Sequence, residues 1–269
     1  MDTRPIGVFD SGLGGLTTVK KLSELLPGED IIYLGDTGRV PYGSRSKETI
    51  IKYSRQDAAF LAGFDIKAMV VACNSVCSSA YDILGSLYDM PVYEVVTAPA
   101  LAAAVRTKNG KIGVIGTAAT IRSGAYETAV RKAATDLSVF SASCPLFVPL
   151  VENGRVSECD IAALTIAEDY LSELRVAGVD TLILGCTHYP LLRGVIAKVM
   201  GSGVNLIDSG AETAKLVSAD LRERNMLYRR ESGGVVKYFV TDSTDGFSVL
   251  ASRFLESNVC GMVEQVTLE

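Results

Sequence analysis

The chain has 269 residues, of which 48% are hydrophobic and 21% charged, and its formal net charge is −5. This composition excludes disordered and fibrous proteins, and the scattered Lys and Arg residues exclude the basic surface that nucleic-acid binding requires. No segment approaches the ~18 consecutive apolar residues of a membrane span, and the N-terminus has no apolar secretion signal. We therefore expect a cytoplasmic protein that binds neither nucleic acid nor a membrane.

In chain order, the sequence predicts strands and helices that alternate. Such alternation favours βαβ units with a mainly parallel sheet. The predicted strands are 6–10, 31–35, 68–73, 92–95, 112–116, 146–150, 181–186, 204–208 and 236–240. Helices with apolar positions at three- and four-residue spacing are predicted at 15–26, 47–63, 119–134, 158–177 and 211–224.

Polar connectors at 107–111 and 200–203 bracket a middle segment, which indicates one domain inserted in another. We predict an α/β fold of two similar domains, each with a mainly parallel sheet flanked by helices, and a ligand cleft between them. The predicted domains are 1–97 plus 207–269, and 98–206.

Two of the predicted strands end in a cysteine, Cys73 and Cys186. Open α/β sheets bind ligands at the carboxyl ends of their strands, and a helix that follows a thiol favours its thiolate. A single cysteine after a strand is more often a small buried hydrophobe, but two in equivalent positions favour a functional pair. Two opposed thiols suit racemisation, in which a proton leaves one face of a carbon and returns on the other. Without a secretion signal, Cys144, Cys159 and Cys260 are expected to be reduced, buried and structural.

Two glycine-rich loops are further candidates for the site. The loop 10–17 follows a strand and opens a helix, so its N–H groups could meet an anion, or the glycines could only allow close packing. Asp10 could receive a substrate ammonium, adjust a thiol or cap the helix. The loop 35–43 could close over a ligand or be an ordinary surface turn, and 208–210 resembles a strand-to-helix turn.

Other chemistries fit the same residues less well. A Cys-His hydrolase would use Cys186 or Cys73 as the nucleophile and His188 as the base, but residues two apart at a strand end do not naturally face each other. A zinc site from Cys73, Cys77, Cys186 and His188 departs from common ligand spacings, and His188 is the only histidine. It could instead lower the pKa of Cys186 or transfer a proton. No lysine lies in a recognisable pyridoxal site, so we expect no cofactor and no metal.

Taken together, the motifs resemble those of the aspartate/glutamate racemase superfamily, and within it the cofactor-independent glutamate racemases. The combination of the segments 10–15 and 185–190 is highly specific. The resemblance covers nearly the whole chain, through Gly7–Leu16, Gly35–Thr37, Arg39–Gly43, Ala72–Asn74, Gly113–Thr117, Ala119–Ile121, Cys144–Glu152, Leu184–Leu192 and Ile207–Ser209.

The resemblance implies two α/β domains with the active site between them, and production of D-glutamate for peptidoglycan. It also implies that Cys73 and Cys186 are the acid/base pair, that Asp10 and His188 assist them, and that Glu152 lies near the site. The implied substrate-binding residues are Asp10, Ser11, Pro41, Tyr42, Gly43, Asn74, Ser75, Thr117, Thr120, Thr187 and His188.

The chain departs from the family pattern at Gly38 and at Ser75-Val76-Cys77. Ser75 retains a hydroxyl that can contact a carboxylate, and Gly38 is expected to loosen its loop. Two alternatives to a glutamate racemase stay open: a related racemase acting on aspartate or another carboxylate, and a non-catalytic binding protein on the same scaffold. The sequence also leaves a homodimer open.

Overall fold

The structure, a computed structural model, describes residues 2–228, 230–259 and 261–268. Its strands are β1 Ile6–Asp10, β2 Ile31–Gly35, β3 Ala68–Val71, β4 Val92–Glu94, β5 Lys111–Gly116, β6 Ser138–Ser143, β7 Thr181–Gly185, β8 Asn205–Asp208, β9 Val236–Val240 and β10 Val263–Gln265. Its helices are α1 Leu16–Leu25, α2 Lys47–Ala62, α3 Asn74–Leu87, α4 Thr97–Arg106, α5 Ala118–Ser123, α6 Ala125–Ala133, α7 Phe147–Glu152, α8 Ile161–Ala177, α9 Arg193–Met200, α10 Ser209–Glu223 and α11 Thr244–Leu255. Two 3₁₀ helices span Thr37–Arg39 and Tyr189–Leu192.

The strands form two parallel sheets, which confirms the predicted α/β class. One sheet has the order β10-β9-β2-β1-β3-β4 and the other β6-β5-β7-β8. In the first, the chain leaves β1 for β2 on one side and returns to β3 on the other. The second does the same with β5, β6 and β7. Such a switch opens a crevice at the carboxyl ends of the two strands that flank it, so β1/β3 and β5/β7 mark the expected ligand sites.

Apolar side chains cover both faces of each sheet. Along β7, Leu182 and Leu184 join one buried cluster and Ile183 joins the other, as the alternation of side chains along a strand requires. Both clusters contain residues of both sheets, so the hydrophobic core is continuous across their junction. None of the helices in the described residues is long and apolar enough to cross a membrane.

The predicted strand at 146–150 is wrong, because Phe147–Glu152 is the helix α7. A short apolar run does not distinguish a buried strand from a buried helix, and Pro149 lies in the first turn, where a helix tolerates proline. The strand that pairs with β5 at this position is instead β6, whose half-buried and exposed residues give no strong apolar signal.

The predicted helix 119–134 is two helices, since Gly124 adopts a left-handed conformation with φ of +64° and ends α5. No range was predicted for strand β10 or for helices α3, α4, α9 and α11, although a helix was expected to begin after Cys73. Cys144 is buried as expected, but the prediction for Cys159 is wrong because it is exposed. Cys159 lies in a polar turn just before α8 and belongs to neither of the two buried hydrophobic clusters. Cys260 lies outside the described residues.

Candidate active site

Two buried thiols line one cavity between the sheets. Cys73 follows β3 and occupies the N-cap position of α3, and Cys186 follows β7 directly. Only 5% of Cys73 and 6% of Cys186 is exposed, and both border a cavity of about 320 Å³. Ligand pockets range from ~300 to 1,000 Å³, so this one suits a small ligand. The cavity lies at the switch points of both sheets, β1/β3 and β5/β7.

Most of the predicted site residues surround this cavity. Only Asp10 and Thr120 do not line it. Asp10 is buried behind Ser11 at the end of β1, and the Thr120 hydroxyl lies 3.1 Å from that of Thr117. Those that line it are Ser11, Pro41, Tyr42, Gly43, Cys73, Asn74, Ser75, Thr117, Glu152, Cys186, Thr187 and His188.

The surroundings of Cys73 keep its thiol protonated. Its Sγ donates to Ser11 Oγ at 3.4 Å, and burial together with the negative charge of Asp10 raises the pKa of Cys73 to about 12. Burial also raises the pKa of Asp10, although the charge of His188 opposes that shift. At neutral pH, Cys73 is therefore a proton donor.

The surroundings of Cys186 are different because His188 and Glu152 stand beside it. His188 Nε2 lies 3.2 Å from Glu152 Oε1. Burial lowers the pKa of His188, but the neighbouring Cys186 and Glu152 outweigh that effect, so that the pKa is raised to about 10. This places a protonated imidazole beside Cys186 at neutral pH.

Three buried polar side-chain atoms at or next to the cleft have no partner within the described part of the chain. They are Asn74 Nδ2 and His188 Nδ1, whose residues line the cavity, and Asp10 Oδ1, which lies behind the cavity wall; none of these residues is more than 7% exposed. The Tyr126 hydroxyl oxygen lies 2.6 Å from Asn74 Oδ1 and 2.8 Å from the Val95 carbonyl oxygen, and its one proton can be donated to only one of them. Buried polar groups are nearly always paired, so unpaired polar atoms in two residues that line one cavity, Asn74 and His188, indicate a polar ligand with complementary groups.

The loop after β1 is in tight contact with the segment after β7. A Cβ at Gly14 would lie 2.0 Å from Thr187 Oγ1 and 2.5 Å from His188 Nδ1, so only glycine fits there. Thr17 Oγ1 also donates to the Thr187 carbonyl at 3.1 Å. These contacts join the two sheets next to the cavity and set the position of Thr187 and His188.

The loop after β2 makes a similar junction with the segment after β5. Ala119 N donates to the Gly43 carbonyl at 3.1 Å, and the Ser75 and Thr117 hydroxyls lie 3.1 Å apart. Ser75 thus keeps a hydroxyl at the cavity despite the departure from the family pattern. Gly38, the other departure, donates its N–H to Thr241 Oγ1 at 2.8 Å, a bond that any residue except proline can make, so a looser loop stays a prediction.

The fourth ligand of the zinc hypothesis is directed elsewhere. Cys77 Sγ donates to the Val71 carbonyl at 3.1 Å, and Cys77 does not line this cavity. Among the described residues, no three His, Cys, Asp or Glu side chains are grouped closely enough to hold a metal ion.

The sequence did not single out the apolar side of the cavity, which Pro145, Val148 and Pro149 form. The wrong prediction of a strand at 146–150 did not place these side chains at the site. In a helix, residues four apart share a face, so the spacing of Val148 and Glu152 contained the signal that could have found it. Helix α7 therefore supplies both an apolar surface and the carboxylate next to His188.

Comparisons with known proteins agree with this arrangement. The family model for Asp/Glu/hydantoin racemases matches residues 6–217. A glutamate racemase of Geobacter metallireducens is 48% identical over 269 residues, which is 100% of this chain and 98% of that protein. The crystal structure of a glutamate racemase isoform from Bacillus anthracis is 39% identical and covers 100% of this chain and 99% of that one, with a TM-score of 0.95.

A glutamate racemase from Francisella tularensis, solved in complex with D-glutamate, is also 39% identical, with a TM-score of 0.92 and the same coverage of both chains. The relatives match this chain from end to end and not only at the thiols. The chain belongs to the Asp/Glu/hydantoin racemase family, among its glutamate racemases.

Proposed function

We propose that this protein interconverts L- and D-glutamate by two-thiol proton transfer between Cys73, Cys186 and the substrate Cα. The observation that carries this proposal is the one cavity that both buried thiols border, at the switch points of two sheets. The family membership and the bound D-glutamate of a 39% identical relative favour glutamate over aspartate. A binding protein would not need two thiols at equivalent positions.

In the L-to-D direction, the Cys186 thiolate takes the Cα proton and the Cys73 thiol gives its proton to the opposite face. Cys186 ends as a thiol and Cys73 as a thiolate, so the reverse reaction uses the same two groups in exchanged roles. The raised pKa of Cys73 supports its role as the acid in this direction. His188 supplies a positive charge near Cys186.

The Cα–H of glutamate is a far weaker acid than a thiol, so most of the rate has to come from stabilising the carbanion-like transition state. The unpaired Asn74 Nδ2 and the hydroxyls of Ser75 and Thr187 are suited to the α-carboxylate. The Ser11 hydroxyl, which lines the cavity, is suited to the ammonium group, and the Asp10 carboxyl lies buried behind it. The two thiols are no more than 6% exposed, and such burial strengthens electrostatic interactions with the substrate.

The test uses the variants Cys73→Ala and Cys186→Ala, with Cys77→Ala as a matched control. Because one turnover needs both thiols, each active-site variant should lose on the order of 10³-fold or more in racemisation, whereas the control keeps most of it. With a glutamate analogue that expels a β-leaving group after Cα–H removal, Cys73→Ala should still process the L-form and Cys186→Ala the D-form. Loss of the same enantiomer by both variants would contradict the opposed arrangement.

Substrate and cofactor are tested with the wild-type protein. L-glutamate and L-aspartate are incubated separately with the protein, and the enantiomers are resolved. Racemisation of aspartate alone would overturn the substrate assignment, and racemisation of neither amino acid would favour a binding protein. Activity should need no added cofactor and should survive EDTA. Loss with EDTA and recovery with zinc would contradict the two-thiol mechanism.

As part of the proposal, the protein acts in the cytoplasm and supplies D-glutamate for peptidoglycan, the role implied by its family. Expression should rescue a bacterium that needs external D-glutamate, and the Cys186→Ala variant should not. The homodimer left open by the sequence is tested by sedimentation of the purified chain, where monomer mass would rule it out.

A further inference from the structure

A cluster of buried polar side chains lies behind the cavity wall formed by the loop after β2. Asp36 directly follows β2, Arg39 and Tyr42 belong to the loop after it, and Asp57 lies on α2. Asp36 and Asp57 are both 0% exposed, and Tyr42 is 1% exposed. The residues Val40–Gly43 border the cavity, so this cluster supports one side of the candidate active site.

The hydrogen bonds of the cluster require one more proton than Tyr42 can supply. The Tyr42 hydroxyl lies within hydrogen-bond distance of Asp36 Oδ2 and is 3.0 Å from Asp57 Oδ2. A phenol has one proton and can donate to only one of these carboxylates. If both were ionised, the second oxygen would face the lone pairs of Tyr42 in a buried place, which is costly.

The other contacts show which carboxyl group holds the additional proton. Asp36 accepts from Arg39 Nε at 2.7 Å and from Thr241 Oγ1 at 2.8 Å, as well as from Tyr42, so both of its oxygens are occupied by donors. Asp57 Oδ1 accepts from Arg39 Nη2 at 2.9 Å, and Oδ2 faces Tyr42. This pattern fits an Asp36 that only accepts hydrogen bonds and an Asp57 that donates from Oδ2 to Tyr42.

We propose that Asp57 is a positioning residue that acts as a neutral carboxylic acid, donating to Tyr42, which donates to Asp36, and so holds the Val40–Gly43 wall of the cavity. Burial and the charge of Asp36 raise the pKa of Asp57 far above its ordinary value, while Arg39 and Tyr42 oppose this shift and Asp10 adds to it. The pKa direction agrees with the hydrogen-bond count.

The main test compares two isosteric substitutions, and its activity readout rests on the proposed glutamate racemisation. In Asp57→Asn, the amide oxygen can still accept from Arg39 and the amide N–H can still donate to Tyr42, so kcat/KM should stay within about threefold of wild type. In Asp36→Asn, the new amide N–H group would face the donors that approach Asp36, and Asp57→Ala removes the contacts with both Arg39 and Tyr42. Each should lower kcat/KM about tenfold or more, mainly through KM, because the thiols are untouched.

Ser54→Ala is the matched control, since Ser54 is buried on the same helix but its hydroxyl donates to the Ile50 carbonyl. It should racemise glutamate as the wild type does. If Asp57→Asn is as impaired as Asp57→Ala, or if Asp57→Ala is as active as wild type, the proposal is wrong.

Infrared spectroscopy gives a readout that does not depend on activity. At neutral pH the folded wild type should show the carbonyl stretch of a protonated carboxylic acid, which Asp57→Asn removes and Ser54→Ala keeps. A band that is absent from the wild type, or unchanged in Asp57→Asn, would overturn the assigned proton even if racemisation were found. If the wild type racemised nothing, the proposed function would fail and this spectrum would still decide the state of Asp57.

Discussion

Gly14→Ala tests whether the tight contact between the two sheets sets the geometry of the active site. The new Cβ would lie 2.0 Å from Thr187 Oγ1, 2.5 Å from His188 Nδ1 and 2.8 Å from His188 Cε1. Non-bonded heavy atoms prefer separations of about 3.5–4.0 Å, so Thr187 and His188 have to retreat by roughly 1 Å or more. Both residues line the cavity beside Cys186.

A misplacement of about 1 Å at a catalytic centre costs on the order of 10²-fold in rate, and overpacking costs about 1–3 kcal/mol of stability. We therefore expect Gly14→Ala to lower kcat about 100-fold in both directions, measured by the change in optical activity of L- and D-glutamate. Urea unfolding should show a protein that is destabilised but folded.

Gly85→Ala is the control, because nothing lies within 4 Å of its added Cβ and the residue is exposed in α3. It should be fully active and up to about 1 kcal/mol more stable, as expected for replacing glycine inside a helix. Wild-type kcat in Gly14→Ala would refute the reasoning, since it would mean that the site tolerates displacement of Thr187 and His188.

Three further predictions concern other parts of the molecule. Lys67 is 0% exposed, and its Nζ contacts the Glu29 carboxylate at 2.5 Å. Because Lys67→Met leaves the buried charge of Glu29 without its partner, it should lower the free energy of unfolding in urea by about 3–5 kcal/mol. A loss below about 1 kcal/mol would contradict this. The pKa of His188 is raised to about 10, above its unfolded value of about 6.5, so the stability it contributes is complete below pH ~6.5 and lost as the pH rises toward 10. The difference in melting temperature between wild type and His188→Asn should shrink over that range, and a constant difference would disagree. Cys77→Ala should keep most activity and lose about 1 kcal/mol with the bond to the Val71 carbonyl; a several-hundredfold loss of rate would show that Cys73 is misassigned.

Much of the fold, and the position of Cys73 and Cys186 after two buried strands, could be predicted from local sequence. The runs before Cys73 and Cys186 are short, apolar and followed by small polar residues, and such a pattern depends only on residues close together in the chain. The alternation of these runs with amphipathic segments indicated parallel sheets. The family motifs supplied the candidate site residues, nearly all of which border one cavity.

Local pattern failed where packing decides the conformation. The run 146–150 is as apolar as a buried strand, yet it forms α7 and carries Glu152 to His188, whereas the weakly apolar β6 takes the place beside β5. Periodicity cannot distinguish these cases over six residues, because neighbours distant in sequence determine which faces are buried.

The tertiary structure alone decided which groups share the site and in what state. It put Asp10 and Thr120 behind the cavity wall instead of on it, and placed the Tyr42 hydroxyl between Asp36 and Asp57. Residue types and their spacing determined which side chains could do chemistry. Burial, pKa and hydrogen-bond partners depend on contacts between segments far apart in the chain, and these exist only once the two sheets pack together.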